Sequence, residues 1–241
     1  MDNNQIKNTF FKLYGLDHSG SHYLSWLLHN NYKDVVILHS HTGWNHGPIV
    51  TELNWDSSTW NRDRYIHPNK QIHGRKLQFE KLNSGLSVLD YKSQLTELYK
   101  SKELNIVCLI RDPYNWLNSF LITHYISYKT IHMACKQWND TTLNYFNNDW
   151  KNTYIIKYET LRDFPKDVIN HIGISSNLSE IVHFQNTNED HAKGGIFKKT
   201  DITKEICIKR ISRIFDKSED EVCHIIDNTI SDESLNYYKT L

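Results

Sequence analysis

Phe10-Phe11-Lys12-Leu13-Tyr14-Gly15-Leu16-Asp17-His18-Ser19-Gly20-Ser21-His22-Tyr23-Leu24 is the stretch on which the reading of this chain turns. An aromatic and apolar run ends at Gly15, and a short loop of small and polar residues follows. Tyr23, Leu24, Leu27 and Leu28 then recur at helical spacing. A strand that passes through a tight turn into a helix gathers backbone N–H groups at one point. Those of the loop join the unpaired ones of the helix's first turn, and together they cradle an anion. Gly20 lets the backbone come close and Ser19 and Ser21 add hydroxyl donors, so a phosphate is expected here. The plainer alternative is an ordinary strand-to-helix turn with a serine capping the helix. Gly15 and Gly20 have the Walker A spacing, G-x-x-x-x-G-K-[ST], but Ser21 and His22 stand where its Lys and Ser/Thr belong. A phosphate arrangement other than that of Mg-ATP fits better.

The 241 residues suffice for one sizeable domain with a full core. Lys+Arg and Asp+Glu are equal at 28 each, which argues against a dedicated nucleic-acid or membrane-surface protein while leaving room for a local basic pocket. Cys108, Cys135, Cys207 and Cys223 are far apart and form no C-x-x-C pair, so they read as reduced thiols in a cytoplasmic setting. Met1 to Gln5 is polar and no apolar run approaches a membrane span, so neither a secretion signal nor a membrane anchor is expected.

Outward from the first unit, Val35-Val36-Ile37-Leu38 is a short bounded apolar run of the kind found in a buried parallel strand. It leads into the histidine-rich loop His39 to Pro48. Residues 49–84 lack periodicity and read as a long loop or lid. A helix is expected over 85–102, a strand over 104–110, and a helix from Pro113 carrying Trp116, Leu117, Phe120 and Leu121. A further helix covers about 131–147, Thr153–Tyr158 is the fourth strand, and a helix spans about 164–172. The segment 202–241 reads as two helices. The whole is a single α/β domain of P-loop NTPase-like architecture. It has a parallel sheet of about four to five strands flanked by helices on both faces.

Arg111 ends the third apolar strand, and Ser119 falls about two turns into the following helix, so both can face one phosphate. The order is strand–Ser-Gly-Ser loop–helix, then strand–Arg-Asp-Pro-x₅-Ser, then strand–Tyr-Glu-x-Leu. Over about residues 8–175 this order resembles the sulfotransferases that use 3′-phosphoadenosine 5′-phosphosulfate (PAPS). The Leu-Ile-Arg-Asp-Pro…Ser segment is the most specific part of the likeness. The resemblance implies a cofactor-binding loop of Asp17, Ser19, Gly20, Ser21 and His22 around the 5′-phosphosulfate. It implies Arg111 and Ser119 on the 3′-phosphate, and Tyr158, at the end of the fourth strand, near the adenine. Lys198 and Lys199, beside Gly194 and Gly195, are a loose match to the basic segment that closes over the 3′-phosphate.

The family's loop usually reads Pro-Lys-Ser-Gly-Thr-Thr, and here Asp17 and His18 occupy the proline and lysine positions. His18 is expected to take over the lysine's assistance to the leaving group. For the base that activates the acceptor, His41 is preferred, then His46, then His39. Their His-x-His and His-x₄-His spacings are compatible with zinc, but no cysteine is near and the resembled chemistry needs no metal, so none is expected. The implied reaction is transfer of the sulfuryl group of PAPS to a hydroxyl or amine, releasing 3′-phosphoadenosine 5′-phosphate (PAP). The acceptor is a small molecule or a carbohydrate, for which Trp44, Trp55 and Trp60 offer stacking faces. The alternatives are a P-loop kinase acting on a small molecule and a nucleotide-binding module without activity.

Overall fold

The computed structural model describes residues 9–32, 35–38, 46–53, 88–124, 127–128, 130–172, 180 and 201–241. Four strands, β1 (Thr9–Gly15), β2 (Val35–Leu38), β3 (Asn105–Ile110) and β4 (Asn152–Lys157), form one sheet in the order β2-β1-β3-β4. Every pairing is parallel: Phe11 lies opposite Ile37 on one side and Asn105 on the other, and Ile106 lies opposite Thr153. β1 is therefore central, and its aromatic and aliphatic run is buried from Phe10 through Gly15. Strands covered on both faces read as nearly continuous apolar runs, which is why β1 and β3 were visible in the sequence.

Side-chain alternation divides the core in two. Phe11 and Leu13, with Val107, Leu109 and Ile156, face α1 (Ser21–Asn31), α5 (Tyr158–Asp163) and α6 (Pro165–His171). They pack there on Leu24, Leu27, Leu28, Leu161 and Ile169. Phe10, Tyr14, Ile106, Cys108 and Ile110 face the other way, into a larger cluster. That cluster is built by α2 (Val88–Ser101), α3 (Pro113–His124), α4 (Thr130–Phe146), α7 (Lys204–Phe215) and α8 (Glu219–Thr229). α9 (Asp232–Thr240) packs outside α4, with Tyr237 stacked on Phe146 at 4.6 Å. Lys12 shares the larger face; it is fully buried, its ammonium 5.0 Å from the Tyr14 ring centroid.

Three boundaries correct the sequence reading. The fourth strand stops at Lys157, and Tyr158 is the first residue of α5 rather than the end of a strand. The helix expected over 164–172 forms as α6, and a short helix not expected from the sequence, α5, precedes it, with Phe164 between them and Pro165 at the start of the second. The tail holds three helices instead of two. Ser218 opens α8 with a capping box to Glu221, and Ser231 accepts from the Ser234 N–H to open α9. Residues 54–87, which hold most of the lid expected over 49–84 and the start of the helix expected over 85–102, lie outside the described residues, as do His39, His41, Trp44, Lys198 and Lys199.

The segment after β2 is pinned from several sides. The Tyr145 hydroxyl donates to the Gly47 carbonyl at 3.1 Å, the Ile49 N–H donates to Asn144 Oδ1 at 2.7 Å, and the Val50 N–H donates to the Tyr14 hydroxyl at 3.1 Å. Both tyrosines are buried in the larger cluster, and burial pushes their hydroxyls up from the ordinary value of about 10. They are neutral donors and acceptors that hold residues 46–50 under the carboxyl edge of the sheet.

Candidate functional site

In open parallel sheets, ligands bind beyond the carboxyl ends of the strands, where neighbouring connections leave in opposite directions. Here β2 lies on one side of β1 and β3 on the other, so the loops after β1 and β3 border such a crevice. The first carries residues 16–20 and the second begins with Arg111.

The 16–20 loop has a definite build. The Ser19 N–H donates to the Leu16 carbonyl at 3.0 Å, closing a four-residue turn in which His18, third in the turn, has φ 64°. A positive φ at that place defines a type II turn, and histidine is among the side chains that enter the left-handed region more readily. Gly20 follows at φ 89° as the cap of α1. A Cβ there would lie 2.7 Å from Tyr158 Cδ2, so both the backbone conformation and the space require glycine. No side chain caps α1 and its first turn carries no acidic residue. The plainer alternative of a serine cap is therefore not what the chain forms, and the first-turn N–H groups of Ser21 and His22 are left for another acceptor. The Ser19 hydroxyl is turned inward over Gly15, where an added Cβ would lie 2.3 Å from it, and is buried without a hydrogen-bond partner. Gly15 is thus needed for the room it gives Ser19 rather than for a Walker-type turn.

Arg111 reaches this loop. Its Nη1 donates to the His18 carbonyl at 3.0 Å, and its guanidinium carbon lies 4.6 Å from the Tyr158 ring centroid. Tyr158 therefore stands between Gly20 and Arg111, a wall shared by the loop after β1 and the tip of β3. Its closeness to the loop was not visible from a strand-end assignment. Burial pushes the Arg111 guanidinium down from its usual value, against the pull of Tyr158, Glu159 and Asp112, and its Nε is buried without a partner. A cation under that pressure gains from a bound anion. Ser119 sits on α3 eight residues on, and the side chain of His22 lies outside the described ones.

Several residues that sequence reasoning did not single out hold these groups in place. The Trp116 indole N–H donates to the Asp17 carbonyl at 2.8 Å, and the Trp138 indole N–H donates to the Arg111 carbonyl at 2.9 Å. Both rings are fully buried, so each indole N–H needs such a partner, and the two anchor the backbone on either side of the crevice. Glu159 accepts from the Asp112 N–H at 3.2 Å and from the Tyr238 hydroxyl at 3.1 Å, which ties α9 to the start of α3. The Tyr-Glu-x-Leu motif thus divides into wall (Tyr158), bridge (Glu159) and core (Leu161). Asp201 pairs with Arg162 at 2.8 Å, and the Ile202 N–H donates to Asn115 Oδ1 at 2.8 Å, so the entry to α7 is fixed beside α3 and α5.

Asp112 caps α3, accepting from the Tyr114 and Asn115 N–H groups at 3.0 and 2.9 Å. Burial raises its carboxyl to about 6; the Asn115 N–H works against this, while Glu159 adds to it. An acid whose folded-state pKa lies above its unfolded value holds its proton longer when folded. Stability tied to Asp112 is therefore present below about pH 4 and lost as pH rises to about 6, by at most about 3 kcal/mol. Asp112→Asn keeps the accepting oxygen of the cap and removes the charge. Denaturant titrations from pH 4 to 7 should show wild type losing stability relative to this variant as pH rises. A constant difference across that range would mean that Asp112 titrates normally.

Together these features define a parallel α/β protein with an uncapped strand–turn–helix loop and an arginine facing it across the crevice. No family model and no curated protein matches the chain. Among solved structures, it is similar to the sulfotransferase domain from the Synechococcus PCC 7002 olefin synthase. The identity is 13%, covering 90% of this chain and 98% of that one, with a TM-score of 0.37. It is also similar to the sulfotransferase domain from the curacin biosynthetic pathway, at 14% identity over 88% and 98% of the two chains, with a TM-score of 0.32. Likenesses this distant do not bear on function, which has to be argued from the residues.

Proposed function

We propose that the chain is a sulfotransferase that moves the sulfuryl group of PAPS to a hydroxyl or amine acceptor. The observation that carries this reading is the meeting of Arg111 with the 16–20 loop, guanidinium against the His18 carbonyl, with Tyr158 between arginine and glycine. The residues fit the cofactor. The loop closes on a glycine whose replacement a neighbouring ring forbids, and the Ser19 hydroxyl and Arg111 Nε are buried polar atoms lacking partners. When bound, PAPS supplies a sulfuryl group activated for in-line displacement, with PAP as its leaving group.

The chain's own residues then have distinct tasks. Backbone N–H groups of the loop and of the first turn of α1 receive the 5′-phosphosulfate, with Asp17, Ser19, Gly20, Ser21 and His22 forming that wall. Arg111 and Ser119 receive the 3′-phosphate, Arg111 exchanging the His18 carbonyl for a charged acceptor. Lys198 and Lys199 add positive charge to the same end. His18 would donate a hydrogen bond to the bridging oxygen that stays on the 5′-phosphate of PAP as the sulfuryl group leaves it, and His41 would take the acceptor's proton. The acceptor is a small molecule or carbohydrate. Cytoplasmic placement belongs to the proposal; among the described residues, no helix is long and apolar enough to cross a membrane.

Thermal stabilisation by PAP, compared with ATP, ADP and AMP, tests the reading. A ligand at 100 times its Kd adds about 2.7 kcal/mol, or roughly 5–10 °C for a domain of this size. PAP should stabilise most, and Mg-ATP stabilising more than PAP would move the chain to the kinases. His18→Ala should lower turnover by about tenfold or more, the scale of a lost proton donor, while His18→Lys retains activity; unchanged turnover in His18→Ala removes that role. A second reading, a PAP-binding module without transfer, is favoured by one observation. Both ring nitrogens of His46, the second-choice base, are already engaged, with Gly15 and Asp17. PAP binding without sulfate transfer to a broad acceptor panel would establish it.

A further inference from the structure

His46 stands against the loop in a way that sulfuryl transfer does not use. Its Nδ1 lies 2.9 Å from the Gly15 carbonyl oxygen and its Nε2 lies 3.1 Å from Asp17 Oδ1. A carbonyl only accepts, so Nδ1 carries a hydrogen. Nε2 then meets a carboxylate, an acceptor suited to a ring that carries hydrogen on both nitrogens. The pair is then net neutral, whereas Asp17 beside a neutral imidazole leaves a full negative charge on the loop. Neither partner can easily leave. The Asp17 backbone is held by Trp116, and the chain following His46 is held by Tyr145, Asn144 and Tyr14. Arg111 also meets the loop, on the His18 carbonyl.

We propose that His46 is a positioning residue for the anion cradle. It neutralises Asp17 and draws its carboxylate back toward the end of β1, so that a loop bearing an acid still receives an anion. This rests on the reading that an anion binds the 16–20 loop, and it reassigns His46 from candidate base to charge partner. The segment after β2 thereby sets the affinity of the loop after β1, with no contact between His46 and the ligand.

The sign pattern of three variants of the full chain tests this, read as calorimetric affinity for PAP and for inorganic pyrophosphate at one pH and ionic strength. His46→Gln keeps a donor amide but cannot hold the extra proton. It should weaken both ligands about fivefold, the scale of one partly screened charge. Asp17→Asn should bind both at least as tightly as wild type. The double variant, Asp17→Asn with His46→Gln, should return to within about twofold of Asp17→Asn, because no charge is left to neutralise. A clamp that is merely structural predicts the opposite: Asp17→Asn weakens binding and the double variant is no better than His46→Gln. That result, or unchanged affinity in His46→Gln, overturns the proposal. Wild type that binds pyrophosphate with the expected pattern but ignores PAP upholds it and removes the PAPS reading. PAP binding without the pattern does the reverse, and failure of wild type to bind either ligand ends both.

Discussion

An Arg111→Met protein is expected to lose about a hundredfold or more in affinity for PAP while its affinity for AMP changes little. A hydrogen bond to a charged group contributes about 1.5–3 kcal/mol, and a guanidinium can place two on one phosphate. At 1.4 kcal/mol per tenfold, the loss exceeds two orders of magnitude. AMP has no 3′-phosphate, so it reports on the rest of the pocket. Methionine keeps an unbranched stem against Tyr158, and the folded state loses chiefly the bond to the His18 carbonyl, about 1 kcal/mol. Titration calorimetry with both nucleotides checks this. PAP affinity within threefold or so of wild type would place the 3′-phosphate elsewhere and remove the main support for PAPS.

Gly20→Ala should be the most damaging single change in the loop. Leaving glycine at φ 89° costs about 1–2 kcal/mol from the backbone alone. The new methyl also falls 2.7 Å from Tyr158 Cδ2 and 3.0 Å from Cε2. That ring has Arg111 stacked against it, so it cannot move without breaking the contact between arginine and loop. The sum is about 3 kcal/mol, a fall in Tm of roughly 6–12 °C for a domain of this size, with PAP binding lost as well. Gly47→Ala is the control. Among the described residues, and apart from its chain neighbours, no atom lies within 4 Å of its added Cβ, so its effect should stay within about 0.5 kcal/mol. Equal Tm values for the two variants would show that the loop does not take the turn described above.

The sheet was legible because its strands are buried on both faces. A strand such as Ile106-Val107-Cys108-Leu109-Ile110 leaves no polar alternation to confuse with a helix, and the turn after Gly15 announces itself by composition. Arg111 and the glycine-serine loop were legible for the same reason, because each sits at a strand end where the apolar run stops. Partnerships between residues distant in sequence were not legible. That Trp116 and Trp138 spend their indole N–H groups on the Asp17 and Arg111 carbonyls needs the helices packed on the sheet. So does the bridge from Glu159 to Tyr238, 79 residues apart. His46 shows the difference most clearly. By residue type it was a candidate base, and its position against Gly15 and Asp17 comes from the pinning of 46–50 by Tyr14, Asn144 and Tyr145.

By itself the sequence determined a parallel α/β chain with an anion-seeking turn and an arginine at strand ends, since periodicity and loop composition are local properties of the chain. Only the tertiary structure decided that Tyr158 walls that turn, that Glu159 bridges two helices, and that His46 faces an acid instead of open solvent. Hydrogen bonds and charge pairs depend on distances of about 3 Å between atoms, and such distances between remote residues exist only after the chain has packed.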